Sequence, residues 1–114
     1  MNLEEFRAKW DSQKTSYHTV YAKNGIYWAN NVEYNGDTIN VLNIAVSRLG
    51  RDYRVQQYAT LFADDILDVK PGRRGVLVPV GINRYVIMNE EEYQRLKREQ
   101  GDERMFYRVG VNGL

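Results

Sequence analysis

The stretch VYAKNGIYWANNVEYNGDTINVLNI, residues 20–44, decides the fold. Apolar and aromatic residues alternate with polar ones in short runs, broken at Asn24-Gly25 and again at Asn35-Gly36-Asp37. Such pairs suit the positive backbone angles of tight hairpins, so two turns join three antiparallel strands. These strands are Tyr17 to Lys23, Ile26 to Tyr34, and a long run from Thr38 to Leu49 carrying Ile39, Val41, Leu42, Ile44 and Val46. Gly50-Arg51-Asp52 breaks the pattern and Tyr53 to Leu61 resumes it. Ile66 to Val69 adds a short strand, stopped by Lys70-Pro71-Gly72. Five short strands with tight turns predict a mainly β chain: a small, strongly bent barrel.

Both flanks continue the reading. Asn2 with Glu5 three residues on forms a capping box, and Leu3, Phe6 and Trp10 share one face. That predicts an amphipathic helix over residues 2–13, lying on the sheet. Beyond Gly75, Val76 to Val80 and Arg84 to Met88 read as a hairpin, with Pro79 marking an edge or a bulge. Asn89 caps a helix from Glu90 to about Gln100, and Met105 to Val111 adds a last strand. Residues 1–71 thus form the barrel with its helix. Residues 72–114 are too few to fold alone, so they form an extension packed on the barrel or on a neighbouring subunit. A neighbour is the expected seat, because an edge strand at Arg84 to Met88 can extend an adjacent sheet.

Length and composition bound the function. A chain of 114 residues, 43% hydrophobic, makes one domain with a real core. Sixteen Lys and Arg against fifteen Asp and Glu exclude a protein that coats nucleic acid by charge alone. No apolar run reaches the roughly 20 residues of a bilayer helix, and MNLEEFRAKW lacks the pattern of a secretory signal. With no cysteine there are no disulfides, thiolate metal sites or cysteine nucleophiles. These features predict a soluble, cytoplasmic domain without a membrane partner.

Catalysis finds little support. His18 is the sole histidine, its neighbours Tyr17 and Thr19 are ordinary strand residues, and no Gly-rich phosphate loop exists. Asp64, Asp65 and Asp68 could offer oxygens to a hard cation, but their spacing fits a solvated turn better. No enzyme, cofactor or metal is expected. Tyr27, Trp28 and Tyr34 cluster on one strand, and alternation puts Trp28 and Tyr34 on one face. Aromatic faces stack unpaired bases, although one face of this strand must fill the core. Lys70, Arg73 and Arg74 could grip phosphates. The basic Arg95, Lys97 and Arg98 follow from the macrodipole of their own helix.

The order of helix, Val20-Tyr21-Ala22-Lys23-Asn24-Gly25 and five strands resembles the Sm-like (LSm, Hfq-like) proteins. The resemblance runs over residues 3–71, with Val32, Asp37 and Asn40 near the positions of the first motif and Leu61 to Val69 near the second. Asn30 stands where the family usually has Gly, and Ala63-Asp64-Asp65 replaces a basic second motif. The resemblance implies a homo-oligomeric ring that binds single-stranded RNA. Asp37 and Asn40 would hold a base, Trp28 would stack, and Lys70, Arg73 and Arg74 would contact phosphates. The acidic second motif and the near-neutral charge point to another class: a structural or inhibitory protein-interaction module, such as a phage assembly or anti-defence component, without a nucleic-acid ligand.

Overall fold

Asn2 starts the fold in this computed structural model, which describes residues 1–43, 45–48, 51–54, 58–81, 84–100 and 107–109. Its side chain accepts from the Glu5 N–H at 2.8 Å and Glu5 reaches back, closing the capping box on α1 (Leu3–Ser12). Strands follow: β1 (His18–Ala22), β2 (Gly25–Asn35), β3 (Thr38–Asn43), β4 (Ala45–Arg48), β5 (Arg51–Arg54), β6 (Tyr58–Phe62) and β7 (Ile66–Pro71). A single 3-10 turn, Ala63–Asp65, separates β6 from β7. The extension contributes β8 (Gly75–Gly81), β9 (Arg84–Met88), α2 (Glu90–Gln100) and β10 (Tyr107–Val109).

The main sheet is antiparallel, in the order β6-β3-β2-β1-β7. It is an open sheet, not a closed barrel, with β6 and β7 as its outer strands. The two long runs read from the sequence each divide. Thr38 to Leu49 becomes β3 and β4, and Tyr53 to Leu61 is replaced by β5 and β6, with residues 44, 49–50 and 55–57 outside the described set. β4 and β5 pair only with each other, as a separate hairpin. Alternation alone cannot say whether a strand pairs with the sheet or with its own continuation. The second hairpin turn sits where expected, while the first lies one residue earlier: Gly25 already pairs with Ala22, leaving Lys23 and Asn24 as the turn.

The core lies between α1 and one face of this sheet. Phe6 is fully buried among Val20, Ala22, Ala29, Ile39, Val41, Leu61, Ile66 and Val69. Tyr27 and Tyr34 both pack on this core, so they share a face. Strict alternation would separate them; a β-bulge at Ala29/Asn31 restores them to one side, with Asn30 as the extra residue. Trp28, paired with Thr19, turns to the opposite face. The sequence-based pairing of Trp28 with Tyr34 is therefore corrected by one inserted residue.

The extension forms a second antiparallel sheet, β10-β8-β9. Pro79 occupies the central strand, where the register shift between Pro79 and Gly81 marks the bulge that accommodates it. The Asn89 side chain accepts from the Glu92 N–H at 2.8 Å and caps α2, whose Tyr93 and Leu96 pack on Val76, Val78 and Met88. β9 lies against β2 of the same chain.

Candidate functional site

A buried knot around the Thr19 hydroxyl ties the main sheet to the segment that leads from β7 to β8. The Gly72 N–H donates to the Tyr17 carbonyl at 2.7 Å, and Thr19 Oγ1 donates to the Gly72 carbonyl at 2.7 Å. Thr19 Oγ1 also accepts from the Arg74 N–H at 2.8 Å, and the Trp28 indole N–H donates to the Arg74 carbonyl at 2.8 Å. Arg74 Nε reaches the Pro71 carbonyl at 3.2 Å. The Arg73 guanidinium lies 4.0 Å from the centroid of the Tyr17 ring, in cation–π contact.

Four of the six candidate RNA-binding residues thus fall in one region, but two of the four are turned inward. Trp28 is 1% exposed and Arg73 is 2% exposed, so neither an indole face nor that guanidinium is open to a ligand. Arg74 is half-buried, while Lys70 is exposed and paired in register with Thr19. Asp37 and Asn40 lie apart from this knot, at the β2–β3 hairpin. Asp37 is exposed in the turn, and its carbonyl accepts from the Ala63 N–H. Asn40 stands mid-strand between Glu33 and Thr60, and its Oδ1 accepts from Thr60 Oγ1 at 2.7 Å. The three form a polar row on the face away from α1.

The two outer strands differ sharply. In an antiparallel ladder, alternate residues turn their backbone groups to alternate sides. The two-residue turn at Lys23-Asn24 makes Ala22–Gly25 a hydrogen-bonded pair, so Thr19 and Tyr21 face β7 and Val69 faces outward. That outward position is already occupied. The Val69 N–H donates to Asp68 Oδ1 at 2.8 Å, and its carbonyl accepts from Gln13 Nε2 at 2.8 Å. Pro71, the next outward residue, has no N–H. Lys9 at the end of α1 pairs with Asp68, fixing the helix along this edge. β7 is a sealed edge.

Gln13 is held in turn by His18. A carbonyl can only accept, so Gln13 must present its nitrogen to Val69 and its oxygen to His18 Nδ1, 2.7 Å away. The imidazole therefore carries its proton on Nδ1. Its ring stacks on Trp10, and burial lowers its pKa below the ordinary value, with Asp11 opposing. His18 is thus a positioned core residue, with its only ring proton donated inside the fold.

β6 carries β3 on one side and no described strand on the other. Phe62, at its end, is 59% exposed, and Leu67, at the start of β7, is 61% exposed. Gln13, Thr60, Phe62 and Leu67 escaped the sequence-based site. The signal for two of them was present in Tyr58 to Phe62, YATLF, a strand without a single charge. Asp65 faces Lys23 at 3.8 Å and Asp68 pairs with Lys9; among the described residues no three metal-ligating side chains converge. No described helix is long and apolar enough to cross a membrane. Comparison with family models, curated proteins and solved structures returned no match.

Proposed function

We propose that this chain is a non-catalytic interaction module of Sm-like organisation that associates with copies of itself. One observation carries the reading. With the β4–β5 hairpin set aside, the sheet runs fifth, first, second, third, fourth, and a 3-10 turn leaves the last two strands as edges beside exposed Phe62 and Leu67. Exposed strand edges pair with other strands, and exposed apolar residues beside them favour burial. The burial of Trp28 and Arg73 favours a protein partner over RNA, because it withdraws the stacking ring and a phosphate-gripping cation.

The RNA-binding ring is the second reading. The exposed Asp37 and Lys70 and the solvent-facing row Glu33–Asn40–Thr60 favour it. Light scattering and fluorescence anisotropy with labelled single-stranded RNA separate the two. The expected outcome is a mass above the 13.4 kDa of one chain and no RNA binding at moderate salt. A monomer overturns self-association. RNA binding that weakens steeply with salt and falls in Asn40→Ala restores the RNA reading, since phosphate neutralisation is salt-dependent.

A further inference from the structure

The self-association proposed above leaves open which surface joins the copies, and the two edges answer differently. Head-to-tail pairing of β6 on β7 would build a ring if the rotation closed. It requires Val69 to release both Asp68 and Gln13, and it meets Pro71, which has no proton to donate. On β6 the same ladder logic gives the opposite result. The two-residue turn at Gly36-Asp37 makes Asn35–Thr38 a hydrogen-bonded pair, so Ile39 and Val41 face β6. Leu61 and Ala59 return those bonds, and Ala63 continues the series with its N–H on the Asp37 carbonyl. Tyr58, Thr60 and Phe62 therefore turn their backbone N–H and C=O groups outward. The close approach of the Thr60 and Asn40 side chains fits this assignment, because facing side chains come nearer in the non-hydrogen-bonded pairs.

We propose that β6 is the self-association surface, pairing antiparallel with β6 of a second copy about a two-fold axis through Thr60. This rests on the self-association reading and deepens it by naming the partner strand and the symmetry. In that register Thr60 meets its own counterpart, and Phe62 lies opposite Tyr58 of the second copy. All three outward residues then exchange both backbone bonds. The choice of a second copy as occupant follows from charge. YATLF has no ionisable acid or base among its side chains beyond a tyrosine, so like meets like without repulsion. It also lacks the Lys, Pro or inward charge by which lone edges are kept single. The exposed Phe62 gains cover on pairing.

The test is the mass of the full-length chain by light scattering at micromolar concentration, in the wild type and two variants, with far-ultraviolet circular dichroism as the check on folding. Thr60→Pro removes the central outward N–H, which the β3–β6 ladder does not use, so the sheet tolerates it. Phe62→Glu puts a charged side chain opposite Tyr58 of the second copy in place of an apolar one and leaves every backbone bond intact. The expected result is a wild-type mass twice 13.4 kDa and single-chain masses for both folded variants. A ring of three or more copies overturns the two-fold arrangement and leaves self-association standing. A wild-type monomer overturns both. A dimer that persists in both folded variants removes β6 from the interface.

Discussion

The indole of Trp10 lies flat on the imidazole of His18, ring centroids 3.6 Å apart and planes inclined by 17°. The contact places a titratable ring under a helix, against the core and in reach of Gln13. It makes His18 a pH-sensitive point in the stability of the fold.

Burial holds the His18 pKa below its ordinary value of about 6.5. The unfolded chain therefore takes up the proton more readily than the folded one, and its binding there favours unfolding. The His18 contribution is complete above about pH 6.5 and drains away as pH falls through the folded pKa. Urea midpoints measured between pH 8 and 5 should decline below 6.5, and His18→Phe should flatten that part of the curve. An equal slope in the variant would place the pH dependence elsewhere.

Trp28→Phe should destabilise the chain by about 1–3 kcal/mol, the cost of leaving a buried carbonyl without its donor. The orphaned group is the Arg74 carbonyl, which receives the indole N–H. Because this bond ties the main sheet to the segment between β7 and β8, the loss should appear in chemical denaturation as a lower midpoint. An unchanged midpoint would show that the carbonyl finds another donor.

Two glycines with positive φ make opposite predictions. A Cβ at Gly75 would stand 2.6 Å from the Met88 carbonyl, with φ at +115°. Gly75→Ala must therefore push β8 from β9 and should cost well over about 1 kcal/mol. Gly36, at φ +61°, has open space around its added Cβ, so Gly36→Ala should cost only about 1–2 kcal/mol of backbone strain. Thermal denaturation of the pair checks the order; equal losses would refute the steric account.

Local signals were legible. The caps at Asn2 and Asn89, the turn at Gly36-Asp37 and, to within one residue, the turn read at Asn24-Gly25 depend on neighbours within three or four residues. What escaped depends on distant partners. Gln13 seals Val69 across 56 positions of sequence, and no local pattern announces it. Arg73 read as a surface cation because arginines are seldom fully buried without compensation, whereas here its plane rests on Tyr17. The bulge at Asn30 added one residue and so moved every later side chain of β2 to the other face. Trp28, Lys70, Arg73 and Arg74 converge around an interior knot, a meeting of distant segments that no local pattern announces.

The β4–β5 hairpin leaves the sheet after Asn43, one residue past Leu42, and returns at Tyr58, the ladder partner of Leu42. The excursion therefore starts and finishes within one residue of the same rung, and the sheet registers nothing of what happens between. Closing such a loop costs only about 0.6 kcal/mol more for each doubling of its length. Residues 44–57 are accordingly the place where this chain can be lengthened, trimmed or given a foreign peptide with least disturbance to the rest. Variation in length among its descendants should collect there.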